Sequence, residues 1–510
     1  MLLHSNVINR RLPTPALAFF ALMLAIESAW AIRCVAMPDE MMHGTAVSVY
    51  NAAEFQHHRP IYRDWRERPH VPAIYGIFSY VVPGLIGRAV DADLLDLYVI
   101  GRLLSLIATA GIGVAIYRLA RRTASGDSDG TSPMFAAAAA LATLSFPIFW
   151  PVCGEFRGDA PAILCSLAAL AVYRSNEQSP RRWMSPPLIV LAFLFKPSCV
   201  LAGLTIPAYL MIRRRPVEAI SFFVAWAAPI AILIVLLQRA TDGLYLLNAV
   251  DAFRGNRDVG NMIIWPVGVL PKAVALYAFA AAWLYAHRTG RRMDLLSVHF
   301  WMTLVVPFVL TYRDGADDYY FCEHIAAACI LMAAQWETWL RGFSSPDERL
   351  VRVLICLAPA LPVSAMAWSH TPPVSRMLHG VLDAREWVHG ERALFRDMAK
   401  ALDSLPQPVL CDADGLTLLS RSPPVLMDTW GLSGLRDQGV FDDSAIVADL
   451  AARRFGAVIL RQPADVIMRY QTTVHVPSAW RQAILREYRP AGKIGDRYYL
   501  YLPQEEKEPD

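Results

Sequence analysis

The stretch TPALAFFALMLAIESAWAIRCVAMPDE, residues 14–40, opens as a long apolar run and closes on two adjacent acids, Asp39 and Glu40. About 20 predominantly apolar residues cover the hydrocarbon core of a bilayer, and Thr14 to Val35 supplies that length. Arg10 and Arg11 stand in front of it, and basic residues before a first span favour a cytoplasmic N-terminus. Asp39 and Glu40 then fall at the outer membrane surface, where a carboxylate meets headgroups without full desolvation. A solvated loop is the bland alternative for such a pair. Small residues around Ala29 to Ala31 imitate a signal cleavage site. The apolar core is too long for a secretory signal and further spans follow, so the segment is expected to stay.

Outward from this segment, composition fixes the class. The chain has 510 residues, 55% of them hydrophobic, with 14 Trp and a mean hydropathy of +0.33, which reads as a polytopic membrane protein. A formal net charge of +3 gives no footing to a nucleic-acid partner. The eight cysteines show no CxxC or other metal spacing and mostly sit in apolar runs, as buried thiols do.

Apolar segments lie at 14–35, 97–118, 133–150, 158–173, 186–195, 198–212, 217–238, 263–286, 295–312, 319–340 and 349–369, with a weaker one at 71–88. Basic clusters follow at Arg118/Arg121/Arg122, Arg174/Arg181/Arg182, Arg213 to Arg215, His287 to Arg292 and Arg341/Arg349. Placing all of them in the cytoplasm requires an even number of spans between neighbouring clusters. That parity holds if 71–88, with Pro72 and Pro83, lies along the interface without crossing. The expectation is an α-helical polytopic protein of about 11 spans, N-terminus inside and C-terminus outside.

On this topology the unusual polar residues collect in outer loops. Loop one contains His43, His57, His58 and His70, whose spacing matches no closed zinc site; hydrogen bonding at headgroup level is the simpler role. Arg102 opens the next span, where an arginine must pair with Asp96 or a headgroup phosphate, or else brace the acidic pair or a leaving phosphate. In CGEFRGDAP, Arg157 is suited to clamping a phosphate or to a salt bridge with Asp159. In LFKPS, Lys196 stands between two short apolar arms with Pro197 behind it, a position that suits a phosphate-binding cation. ADDYYFCEH places Tyr320, Glu323 and His324 at the outer end of a span, the last two in a helical register that faces protein. Glu27, inside the first span, reads as a satisfied polar group of the bundle.

Together, MPDE after the first span, the two loop-one interface helices, GRLLSLIA, FRGDAPAILCSLAALAVY, LFKPS and ADDYYFCEH resemble the GT-C superfamily of integral-membrane glycosyltransferases. That group contains protein O-mannosyltransferases and lipid A aminoarabinose transferases. The resemblance covers about residues 10–370. It implies a polyprenyl-phosphate sugar donor, transfer on the non-cytoplasmic face, and an active-site acid in loop one at Asp39, with Glu40 beside it. The chain departs from the family pattern after the lysine of LFKPS and carries no acceptor-binding motif, so the acceptor, whether glycan, lipid or protein, is left open. Asp39 would serve as base, while Lys196, Arg157 and Arg102 would stabilise the departing phosphate. With so many cations a divalent metal is optional, and no cofactor is called for. A single inverting displacement is the simplest scheme. A transporter or flippase of a lipid-linked glycan would instead spread polar groups through the midplane; a catalytically degenerate relative is the other alternative.

After about Ser375 the pattern becomes soluble. PVLCDA, PVLMDT, FGAVILR and RYYLYLP read as strands and 391–404 and 443–454 as helices, giving an α/β domain over 375–510 after the transmembrane core of 1–374. Asp412, Asp414 and Asp428 follow strand ends, where open sheets bind ligands and where ordinary turns and caps also put acids. A bacterial inner membrane with this domain in the periplasm is the expected location.

Overall fold

The computed structural model describes residues 14–35, 44–123, 130–149, 152, 154–252, 254, 257–288, 293–313, 317–342, 348–370, 384–470 and 473–505. Asp39, Glu40 and His43 lie outside the described residues.

The apolar segments are helices. They are α1 (Thr14–Val35), α2 (Thr45–Gln56), α3 (Phe78–Val90), α4 (Leu94–Arg121), α5 (Pro133–Leu144), α6 (Asp159–Ser175), α7 (Ser185–Phe195) and α8 (Leu201–Ile212). There follow α9 (Pro216–Ala240), α10 (Val259–Val269), α11 (Val274–Arg288), α12 (Leu295–Leu310), α13 (Cys322–Gly342), α14 (Arg349–Leu357) and α15 (Ala360–His370). Local chemistry sets the ends. Asp93 caps α4 in a reciprocal box with Asp96, whose N–H donates to Asp93 Oδ1 at 2.8 Å. Pro133 and Pro216 open α5 and α9, where a missing N–H costs nothing. Pro271 interrupts the expected 263–286 helix with a tighter turn, and the 349–369 segment breaks ahead of α15 at Pro359.

Three helical runs are long and apolar enough to cross a membrane by length and composition: 94–121, 216–240 and 259–286. The other described helices are shorter or less apolar, so the count of eleven belongs to the sequence reading. Helix α13 runs through the centre and is buried from Cys322 to Glu337. Its Ala326, Ala327, Ala328, Cys329 and Ala333 are small enough for α5, α11 and α12 to approach closely. By contrast α9 exposes Val217, Ile220, Phe223, Val224, Ile232 and Val235, as a lipid-facing helix does.

Beyond residue 383 the chain forms α16 (Ala384–Asp403), β1 (Val409–Cys411), α17 (Asp414–Leu419), α18 (Thr429–Asp437), α19 (Ser444–Ala451) and β2 (Ala457–Leu460). Then come β3 (Arg469–Tyr470), β4 (Thr473–Val474), α20 (Ser478–Glu487), β5 (Tyr488–Ile494) and β6 (Tyr498–Pro503). The main sheet has the order β1-β2-β6-β5, with β1 parallel to β2 and the other pairs antiparallel. Strand alternation sends Leu410, Val458 and Leu460 into one core with Trp480 and Ile484. Cys411 and Ile459 face the other core, with Phe395 and Met398 of α16. PVLMDT is no strand of this sheet. Its backbone is taken up by loop one instead: His70 N–H donates to the Val425 carbonyl and Met427 N–H to the His70 carbonyl, both at 3.0 Å. Trp65, fully buried, completes the same core from loop one, and Arg68 pairs with Asp449.

Candidate active site

Three segments meet at one end of the bundle. Helix α7 stops at Phe195 because Pro197 follows, and Lys196, the residue before proline, is held extended at φ −149° and ψ 112°. Gly76 N–H donates to the Phe195 carbonyl at 3.1 Å, and the Ser79 hydroxyl donates to the same oxygen at 2.8 Å. A side chain on Gly76 would strike the Leu194 carbonyl, and one on Gly158 the Phe195 carbonyl. These two glycines let loop one and the loop before α6 lie directly against the turn that carries the lysine.

That closeness brings the charges together. Asp159 opens α6 and forms an ion pair with Lys196, while its Oδ2 lies 3.3 Å from Arg157 Nε. All three side chains are buried. Arg157 donates to the Tyr319 hydroxyl at 2.9 Å, and its guanidinium lies 4.6 Å from the Tyr319 ring centre and 5.6 Å from that of Tyr75. The Lys196 ammonium sits 5.0 Å from the Tyr319 ring centre and 4.9 Å from that of Tyr320. Desolvated cations are costly; here one carboxylate and three aromatic faces offset that cost. Burial raises the Tyr75 phenol above its ordinary value, with Arg157 pulling the other way.

Glu323 lines the same cavity as Asp159, Lys196, Tyr319 and Tyr320. Its Oε2 accepts from the Ser166 hydroxyl at 3.0 Å and lies 3.8 Å from His299 Nε2. His324, one residue on, points into the bundle. Its Nδ1 lies 3.2 Å from the Phe300 carbonyl and 3.3 Å from the Thr303 hydroxyl, and its ring stacks on Tyr277. Adjacent residues of a helix face different neighbours, and both side chains are buried.

Arg102 is fully buried in α4. It donates to the Cys34 carbonyl at 2.7 Å and faces Glu155 at 3.3 Å, and Glu155 also accepts from the Thr45 hydroxyl at 2.6 Å. Asp96, one of the partners weighed for Arg102, is engaged in the α4 cap. Arg102 therefore ties the end of α1 and the start of α2 to the loop that presents Arg157.

The sequence reading missed Tyr75, Ser166 and His299. The last two had a visible signal, a polar residue inside an apolar run, as in ILCSLAAL and LLSVHFWM. In the C-terminal sheet the acids serve backbone. Asp412 Oδ1 accepts from Arg461 N–H at 2.7 Å, Asp414 Oδ2 from Asp428 N–H at 3.0 Å, and Asp428 Oδ1 from Gly431 N–H at 2.9 Å as the cap of α18. Asp412 also lies 3.3 Å from His475 Nε2. Among the described residues no group of three or more His, Cys, Asp or Glu is arranged to hold a metal ion.

No family model matches the sequence, and no curated protein matches it. Solved structures do match in fold. The apo structure of ArnT from Cupriavidus metallidurans superposes with a TM-score of 0.55 at 12% identity, over 95% of this chain and 97% of that one. The structure of the same protein bound to undecaprenyl phosphate gives 0.55 at 13% identity, with the same coverage. The apo oligosaccharyltransferase of Archaeoglobus fulgidus gives 0.50 at 11% identity, over 86% of this chain and 69% of that one. This chain therefore shares its fold with these solved structures.

Proposed function

We infer that this protein is a membrane glycosyltransferase that moves a sugar from a polyprenyl-phosphate donor to an envelope glycan, lipid or protein on the periplasmic face of a bacterial inner membrane. The observation that carries this reading is the cavity lined by Lys196, Asp159, Tyr319, Tyr320 and Glu323, with Arg157 held against it by Asp159 and Tyr319. Two cations set by one carboxylate suit a phosphate that gains charge as its bond to sugar breaks. The fold neighbour ArnT has been solved with undecaprenyl phosphate, which supports a donor built on that kind of lipid.

In the proposed reaction an acceptor hydroxyl attacks the anomeric carbon from the face opposite the phosphate. The new carbon–oxygen bond forms as the bond to the phosphate oxygen breaks, and configuration inverts. The hydroxyl proton passes to Asp39, with Glu40 beside it, and the leaving polyprenyl phosphate takes the electron pair and rests against Lys196 and Arg157. Arg102 acts at one remove by fixing the loop that carries Arg157. The test is incubation of the purified protein with a panel of polyprenyl-phosphate sugars. Release of free polyprenyl phosphate from one of them is the expected result; no release from any donor, with or without envelope extract as acceptor, overturns the reading.

A further inference from the structure

A separate cleft of about 570 Å³ lies between the membrane helices and the C-terminal domain, within the roughly 300–1,000 Å³ typical of small-molecule sites. One wall is the end of α2 and the turn from α3 into α4; the other is α16 and the segment after α17. The two walls differ in chemistry. Leu95 and Leu419 give the cleft an apolar lining, whereas Arg396, Lys400 and Arg421 bring three cations to it from the C-terminal domain. Arg396 and Lys400 are four residues apart on α16 and so share a face.

Three carboxylates also reach the cleft, and two are occupied by backbone. Asp93 caps α4, and Asp403 Oδ1 accepts from the Ser420 hydroxyl at 2.6 Å and the Arg421 N–H at 2.8 Å. The third, Asp91, is exposed at the α3–α4 turn. Among the described residues Lys400 pairs with Asp397 at the rim, 3.3 Å away, with the two side chains 77% and 72% exposed, a pairing that solvent screens. Arg396 and Arg421 form no ion pair among the described residues.

Position supplies the ligand class. The cleft sits where α4, a helix long and apolar enough to cross a membrane, begins. Beside it α3 exposes Leu85, Ile86 and Val90. An apolar lining at that level, roofed by arginines, matches a molecule with an acyl end and a phosphate head. We propose that this cleft binds an anionic membrane phospholipid, with Arg396, Lys400 and Arg421 on its phosphate and Leu95 and Leu419 against its glycerol and first methylenes. Bound there, the lipid clamps the C-terminal domain to the membrane surface. The assignment is independent of the donor chemistry at Lys196.

The test is calorimetric titration of the full-length protein in neutral detergent with dihexanoyl phosphatidylglycerol, dihexanoyl phosphatidylcholine or inorganic phosphate. The phosphatidylglycerol should bind about ten-fold or more tightly than either of the others. An Arg396→Ala/Arg421→Ala double variant should lose about ten-fold or more of that affinity, and an Arg396→Lys/Arg421→Lys variant should recover most of it. Lys196→Ala should leave it in place. Equal binding of phosphatidylcholine, unchanged affinity in the double alanine variant, or loss on Lys196→Ala alone would overturn the proposal. Inorganic phosphate binding as tightly as the lipid would make this a free-anion site and overturn the lipid assignment.

Discussion

Lys196 and Asp159, 37 residues apart in the chain, form a buried ion pair where the break after α7 meets the first residue of α6. The pair holds the lysine in the cavity and places it beside Arg157, so its removal has two separable effects. Taking one partner from a buried pair typically costs about 3 to 5 kcal/mol. Lys196→Ala is expected to lower the melting temperature and abolish capture of polyprenyl phosphate. A Lys196→Ala/Asp159→Ala protein also removes the carboxylate that buried Arg157 faces, so it should regain neither stability nor capture. Lys196→Arg should restore capture only in part, because a planar guanidinium differs in shape from an ammonium. If both alanine proteins bind the lipid phosphate like the parent, Lys196 is not the clamp and Arg157 is the cation to test next.

Asp39→Asn should abolish transfer while donor binding persists. Loss of a general base lowers turnover about 100- to 10,000-fold. Turnover near the parent's would remove Asp39 from that role and move attention to Glu40 or to Glu323, which shares the lysine's cavity.

For Arg102 the prediction concerns architecture. Glu155→Gln removes the carboxylate that a fully buried guanidinium faces, and is expected to destabilise the protein by about 3 to 5 kcal/mol. The same substitution should loosen the loop before α6 and so weaken donor capture. A melting temperature equal to the parent's would show that the Cys34 carbonyl and other neighbours suffice for Arg102.

The C-terminal domain should lose stability as pH rises. Burial pushes the Asp414 carboxyl up to about 7, partly opposed by Arg461 and reinforced by Asp428. The folded chain thus holds this proton more tightly than the unfolded chain, whose carboxyl titrates near 3.9. The stability it gives is complete below the unfolded value and is lost as pH rises toward about 7. Asp414→Asn should flatten that slope. Thermal unfolding followed between about pH 5 and about pH 8 checks the sign, and an unchanged slope in the variant assigns it to another group.

Cutting the chain after Pro373 should leave an inserted bundle that binds donor but transfers poorly. It should also make loop one more sensitive to trypsin at Arg66, because Trp65 and His70 lose the domain that buries them. Loss of donor binding in a stably inserted truncation would show that the domain completes the donor site, and would make Asp412 or Asp428 credible members of it.

Much of this protein was legible locally. Apolar run length gave most of the helices, because burial in lipid or bundle is a demand each segment meets by its own composition, although 71–88 and 133–150 miss an end by six or seven residues and 263–286 and 349–369 are each broken in two. Pro197 announced both the end of α7 and the extended lysine before it, since a proline restricts its neighbour wherever the chain goes. PVLCDA and FGAVILR announced strands for the same local reason. Partner choice was legible for the near neighbours Arg157 and Asp159 but not for most others. Arg102 meets Glu155 and not the nearer Asp96, Glu323 turns to the cavity while His324 turns away, and PVLMDT spends its backbone on His70 rather than on the sheet. Each of these depends on how helices are rotated against one another and on where two glycines let loops touch. Those are relations between distant segments, and only the packed tertiary structure decides them.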